Sequence, residues 1–164
     1  MGGATVKLSK TAAKTAAGAA GIAALSVLSA TTAVADPAVQ PFGTPEQLND
    51  GAMATSYTVS NLGPANVTIP GYQPHGKLYQ ADVTARADRG TVTPVVADFN
   101  ARAANSDTYR VINTVPTPGG INPGPIAQGA AANGKIYFDV TGPPPDGVVY
   151  NDGVQDVLVW TSKA

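Results

Sequence analysis

Residues 77–87 read Lys-Leu-Tyr-Gln-Ala-Asp-Val-Thr-Ala-Arg-Ala, and their alternation decides the fold class. Tyr79, Ala81, Val83 and Ala85 fall on one side of an extended chain, while Gln80, Asp82, Thr84 and Arg86 fall on the other. Successive side chains of a strand point to opposite faces, so this period of two predicts a half-buried antiparallel strand. Toward the C-terminus, residues 135–141 repeat the logic, with Ile136, Phe138 and Val140 inward and Lys135, Tyr137 and Asp139 outward. Toward the N-terminus, Met53, Thr55, Tyr57 and Val59 give a third alternating face.

Around these three strands the pattern is less regular. Residues 108–115 are β-branched and interrupted by Arg110 and Asn113. Residues 157–160 are continuously apolar, which predicts a strand near the centre of a sheet, covered on both sides. Pro94 confines the start of residues 92–102 to an edge or a bulge, and residues 95–99 fit either a strand or a short helical turn. Gly63-Pro64, Pro70-Gly71, residues 116–125, residues 142–147 and Asn151-Asp152-Gly153 read as turns or loops. Asp146-Gly147 and Asp152-Gly153 can supply the positive φ of tight hairpins. No stretch after Asp36 holds a helical period with caps, and residues 36–50, polar and proline-containing, are expected to form an irregular lead-in.

About seven short strands in roughly 110 residues fit an all-β, immunoglobulin-like antiparallel β-sandwich over residues 51–164. A closed barrel has the same strand count and stays open as an alternative. The disulfide usual in the core of that sandwich cannot form, because the chain has no cysteine. Trp160 is therefore expected to pack against aliphatic and aromatic neighbours.

The N-terminus is of a different kind. Lys7, Lys10 and Lys14 precede an uncharged run over residues 16–30, in which Ile22, Leu25, Val27 and Leu28 sit among alanines. Ala33-Val34-Ala35 follows, and Asp36-Pro37 ends any helix. Basic start, apolar middle and small-x-small end predict a signal peptide over residues 1–35, cleaved to leave Asp36 first. A spanning helix needs roughly 20 predominantly apolar residues, and this run is shorter and diluted by Gly18 and Gly21. The first arginine is Arg86, which closes the twin-arginine route, and the missing cysteine excludes a lipid anchor. The expectation is export by the Sec pathway and an extracellular protein with no membrane attachment after cleavage.

Cleavage at Ala35 would leave 129 of the 164 residues, the size of one domain, with all ten aromatic residues retained. Seven Lys/Arg would then face eleven Asp/Glu, for a net charge of −4. Nucleic acid and anionic lipid both require a basic footprint, so neither is an expected partner.

Catalytic constellations are sparse. His75 is the only histidine and lies in a turn-rich stretch, Gly71-Tyr72-Gln73-Pro74-His75-Gly76, where a solvated side chain is the simplest reading and a pH-sensing or metal role the alternative. No Gly-x-Ser-x-Gly elbow exists for a hydrolase triad. Glu46 is the only glutamate, and most aspartates stand beside glycine, asparagine or serine, as turn-builders do. Asp146, Asp152 and Asp156 could approach one another at one end of a hairpin, but their spacing fails the calcium-loop pattern. Gly134-Lys135 lacks the rest of a phosphate loop, and Asn66-Val67-Thr68 matches the glycosylation triplet. The sequence therefore assigns no catalytic, cofactor-binding or metal-ligating residue, and no cofactor. Residues 116–125, rich in proline and glycine, read as a long stiff sandwich loop or as an exposed recognition loop.

Several blocks, taken in order, carry a more specific signal. They are Ile69-Pro70-Gly71-Tyr72, Arg89-Gly90-Thr91-Val92-Thr93-Pro94, Phe99-Asn100-Ala101-Arg102 and Tyr109-Arg110-Val111. Gly134-Lys135-Ile136-Tyr137-Phe138-Asp139-Val140-Thr141-Gly142-Pro143 follows, then Trp160. Together they resemble the small secreted immunogenic antigen family of mycobacterial culture filtrates, the MPT/MPB "sixty-three" type. The resemblance spans residues 67–160 and departs around residues 116–125 and 130–132. It implies an immunoglobulin-like sandwich, secretion and recognition by host immunity, and it brings no catalytic or ligand-binding residues.

The expected function is thus that of a secreted, non-enzymatic, monomeric antigen whose immunoglobulin-like domain binds a host or envelope partner. The alternative is an envelope carrier of a small molecule or metal, which needs an apolar cavity between the sheets or gathered loop aspartates. A weak hydrolase would need two carboxyl groups facing one cleft.

Overall fold

The structure is a computed structural model that describes residues 37–164; the expected signal peptide, residues 1–35, lies outside the described residues. The alternating stretch around Ala81 forms the centre of one sheet. Its strand, Lys77–Arg89, buries Tyr79, Ala81, Val83, Ala85 and Ala87 and leaves Gln80, Asp82 and Thr84 half-exposed on the opposite face. In chain order the strands are β1 (Val39–Pro41), β2 (Glu46–Asp50), β3 (Met53–Pro64), β4 (Lys77–Arg89), β5 (Phe99–Ala103), β6 (Thr108–Arg110), β7 (Ala131–Val140), β8 (Pro145–Asn151) and β9 (Asp156–Thr161). One sheet has the order β2-β3-β4-β7 and the other β1-β9-β8-β5-β6. Every pairing is antiparallel except β1 with β9. The chain changes sheets at β1–β2, β4–β5, β6–β7 and β7–β8, which produces the immunoglobulin-like sandwich of two separate sheets rather than a closed barrel.

Five expectations are corrected. Gly63-Pro64 is not a turn but ends β3, where Gly63 pairs with Gln80 and Pro64 with Tyr79. Residues 36–50 are not an irregular lead-in: β1 runs parallel to β9, and β2 pairs with β3. Their polar composition hid strands that bury only one weak face, Glu46 and Leu48. Asp146-Gly147 is not a hairpin turn but lies inside β8, where Gly147 pairs with both Arg102 and Thr161. A Cβ on Gly147 would stand 3.0 Å from the Trp160 carbonyl oxygen, so glycine serves close strand approach here. Asp152-Gly153 does form the expected turn, with Gly153 at φ 93°. Tyr137 points outward yet is buried, because Ile69, Leu78 and Ile112 fold over that part of the outer face. Residues 157–160 are central in pairing, between β1 and β8, but Val157 and Val159 are only half-buried.

The two ambiguous stretches are resolved by changes of partner. Residues 96–98 form a 3-10 turn that leads into β5. Residues 108–115 begin as β6 and then switch sheets: the Val111 N–H donates to the Phe99 carbonyl (3.3 Å) and the Ile112 N–H to the Tyr137 carbonyl (2.8 Å).

Between the sheets, aromatic rings do what a disulfide does elsewhere. Tyr57 of β3 stacks on Tyr150 of β8 (centroids 5.2 Å apart) and meets Phe99 of β5 edge-on (5.4 Å). Phe99 also meets Tyr150 edge-on (5.1 Å) and stacks at 6.4 Å on Trp160, which is wholly buried, as expected, among such neighbours. Trp160 Nε1–H donates to the Thr44 carbonyl (2.8 Å), so the indole satisfies its one polar group while pinning the β1–β2 crossing.

The edge of β7 is sealed by the β6–β7 connection. Ile121 N–H donates to the Lys135 carbonyl (3.2 Å), Lys135 N–H to the Gly119 carbonyl (2.8 Å), and the Tyr137 hydroxyl to the Pro118 carbonyl (2.8 Å). Ile121 and Ile126 plug into the core. A Cβ on Gly134 would lie 2.3 Å from the Ile121 nitrogen, so only glycine lets the connection lie this close.

Two substitutions test this packing by urea denaturation. Phe99→Ala removes the ring shared by three aromatic contacts and is expected to cost about 3–5 kcal/mol, against less than about 0.5 kcal/mol for Val154→Ala on the surface. Gly134→Ala is expected to destabilise the protein although it adds only a methyl group; an unchanged midpoint would contradict the close approach.

Candidate recognition surface

The residues singled out by sequence are dispersed. His75 is exposed in the β3–β4 loop, where its backbone N–H and that of Gly76 both donate to Asp139 at 2.8 Å. The Tyr72 hydroxyl adds a third donor at 3.0 Å. Burial pushes the Asp139 carboxyl up, but these donors together outweigh it and hold the group below its usual range. Asp139 is therefore a clamp on the 65–76 loop, a role its alternating position on β7 did not signal. The Asn66-Val67-Thr68 triplet is exposed on the same loop.

The three loop aspartates do not converge. Asp146 opens β8 and pairs with Lys163 at 2.5 Å, whereas Asp152 and Asp156 flank the turn at the other end of the same hairpin. Asp152 accepts the N–H groups of Val154 and Gln155, both at 2.9 Å, and these bonds hold its carboxyl low. Asp156 pairs with Arg102 and accepts from Asn151 (2.9 Å). On the outer face of the first sheet, Asp82 sits below its usual range because Lys135 (2.6 Å) and Asn61 (2.8 Å) both donate to it. These carboxylates each serve local structure, Asp152 through one of its two oxygens only.

Glu46 differs. Its side chain reaches from β2 across to the second sheet and accepts the Val159 N–H at 3.1 Å. Burial raises its carboxyl to about 7, opposed only by that one backbone donor. Nothing acidic acts on it, so it is a half-buried lone acid rather than half of a carboxylate pair.

Three recesses are lined by described residues: an open one of about 390 Å³ on the outer face of the first sheet, beside Asp82, Gly134 and Lys135, and two on either side of the 3-10 turn at residues 96–98. The larger of these two is an open groove of about 540 Å³. Its walls are residues 112–117 and 120–123 of the β6–β7 connection, and Val96 closes one side. Ile112, Val115, Ile121 and Val96 give it an apolar lining, Asn113, Thr114, Thr117 and Asn122 supply hydrogen-bonding groups, and no ionisable side chain enters it. Sequence reading found the proline-rich half; it missed Val96 and residues 112–115, which join the groove only because the chain switches sheets there. The smaller recess, about 100 Å³, lies on the other side of the same 3-10 turn, against Val95, Met53, Tyr57 and Tyr150. Burial pushes both tyrosine hydroxyls above their usual range, so they stay protonated.

Two sheets packed over one shared aromatic core, with dispersed carboxylates at the surface, define an immunoglobulin-like domain. The chain belongs to the DUF1942 family, a domain of unknown function, which matches residues 37–160. It is similar to the immunogenic proteins MPB63 of Mycobacterium bovis and MPT63 of Mycobacterium tuberculosis, each 44% identical over 110 residues, covering 67% of this chain and 69% of theirs. The crystal structure of MPT63, a secreted protein of Mycobacterium tuberculosis, superimposes with a TM-score of 0.75 at 40% identity, covering 77% of this chain and 98% of that one. The family resemblance spanning residues 67–160 is thereby borne out. The YjhA protein of Bacillus subtilis shares the fold alone, with a TM-score of 0.51 at 14% identity over 74% of this chain and 98% of its own.

Glu46 yields a pH test. Its folded-state pKa of about 7 lies above the ordinary 4.5, so its contribution to stability is fully present below about 4.5 and is lost as pH rises through about 7. Glu46→Gln keeps an acceptor for Val159 without the charge. The variant is expected to be more stable than the wild type near pH 8 by on the order of 1 kcal/mol, after discounting for partial exposure, and to converge with it near pH 5. A difference constant across that range in thermal melts would contradict the burial of the charge.

Proposed function

We propose that this chain is an exported, non-enzymatic recognition domain, an antigen of the MPT63 kind, which engages a host or envelope partner through its loops. The observation that supports it most is the groove walled by residues 112–117 and 120–123. It is held on rigid strands, offers neutral hydrogen-bonding groups beside apolar walls, and contains no nucleophile with a neighbouring base. Export is supported by the basic, apolar and Ala33-Val34-Ala35 order of residues 1–35 and by the secreted relative; the absence of cysteine and of an early arginine favours the Sec route.

Photo-crosslinkers placed at Thr114 and at Asn122, both of which line the groove, test the reading against envelope and host-cell extracts. The same partner is expected from both positions and not from Thr58 on the outer face of β3. Turnover of a glycan, ester or peptide substrate, abolished by one aspartate substitution, would overturn the non-enzymatic assignment. N-terminal sequencing of the exported product is expected to begin at Asp36; a product beginning at Met1 would contradict signal cleavage.

A further inference from the structure

Five large apolar side chains are exposed among the described residues, and three of them share one end of the sandwich. Met53 (39% exposed) follows the β2–β3 turn, Val95 (47%) lies in the β4–β5 connection, and Val154 (90%) tips the β8–β9 hairpin. Met53 and Val95 line the small recess together with Tyr150, the penultimate residue of β8 before the turn that carries Val154. Single exposed apolar residues need no explanation, but a group of them around a recess marks a contact surface.

The three turns are held rigidly in this arrangement. Arg89 donates through Nε to the Ala52 carbonyl (3.0 Å) and through Nη2 to the carbonyls of Gly51 (3.1 Å) and Met53 (3.3 Å). Gly90 N–H donates to Gln128 (3.1 Å), and Val92 exchanges backbone bonds with Ile126. Asp152 orders the hairpin tip by accepting from the two N–H groups that flank the exposed valine side chain, those of Val154 and Gln155. A surface fixed before contact loses little further entropy on binding.

Its charge is one-sided. Asp50 stands on the recess rim, Asp98 lies beside the Tyr150 hydroxyl, and Asp152 holds the hairpin tip. The cations nearby are Arg89, whose donors face main-chain carbonyls, and Arg102, which is paired with Asp156. A recess of about 100 Å³ accommodates one aliphatic side chain. We propose that this end of the sandwich docks a polypeptide segment that presents an aliphatic side chain flanked by lysine or arginine: the side chain enters the recess between Met53 and Val95, and the cations meet Asp50, Asp98 and Asp152. The proposal goes beyond the groove-based reading and concerns a different face of the 3-10 turn, so either can fail alone.

The test is a titration of the full-length, 15N-labelled chain with three capped pentapeptides, Gly-Lys-Leu-Lys-Gly, Gly-Glu-Leu-Glu-Gly and Gly-Lys-Ser-Lys-Gly. The first is expected to shift the amides of Met53, Val95 and Val154. The acidic peptide should bind at least about tenfold more weakly and the serine peptide about fivefold, and about 0.5 M salt should weaken the first severalfold. Met53→Ser and Val154→Ser should each weaken it while leaving the remaining amide spectrum in place. Thr114→Ala in the groove should have no effect. Equal binding of the acidic peptide, shifts confined to residues 112–123, or no shifts at all would overturn the proposal. So would concentration-dependent shifts at the same amides without peptide, which would make a second copy the occupant, or sedimentation with phosphatidylglycerol–phosphatidylcholine vesicles, which would make it a membrane.

Discussion

Tyr57 crosses from one sheet to lie against Phe99 and Tyr150 of the other, and Phe99 in turn stacks on Trp160. With no cysteine available, this four-ring contact ties the sheets together at the level where the loops bordering the recesses leave them. Three of the four rings also fix something outside the core. Phe99 starts β5 directly after the 3-10 turn that separates the groove from the small recess. Tyr150 precedes the β8–β9 hairpin, and Trp160 holds the β1–β2 crossing through Thr44. The loops can be presented in fixed positions because their roots are locked into one aromatic cluster.

A second constraint depends on that packing. The β6–β7 connection leaves the second sheet at Val111, bonds along the open edge of β7, and drops Ile121 and Ile126 into the core. An uncovered edge strand would invite pairing with another chain. Covering it with proline-rich backbone removes that hazard and at the same time shapes the groove, since residues 112–117 and 120–123 must part around Val96. The proline-rich segment thus acts as an edge cover and as a groove wall, two readings that need not compete.

The parts of this structure legible in the sequence are those where one side chain in two meets the core. β4 and the C-terminal half of β7 show that alternation most clearly, and the longest family block, residues 134–143, lies on β7 and just beyond it. β1 and β2 were hidden because they bury little and consist mostly of polar residues. Gly147 looked like a turn because glycine serves turns and close strand packing alike; only the neighbouring Trp160 carbonyl distinguishes them. Tyr137 was placed on the correct face, but its burial depends on Ile69 and Ile112, which arrive from loops remote in sequence. The small recess was illegible for the same reason: Met53, Val95 and Tyr150 belong to three segments and converge only once the sheets stack. The aspartates misled in the opposite direction, since adjacency to a hairpin says nothing about which end of it each residue occupies.

If the aromatic cluster makes the two sheets one cooperative unit, native-state hydrogen exchange reads it directly. The protected amides of β3 and β4 and those of β5, β8 and β9 are predicted to open with a single common free energy as denaturant is raised toward the transition. Two separate isotherms, with one sheet opening well before the other, would contradict the account.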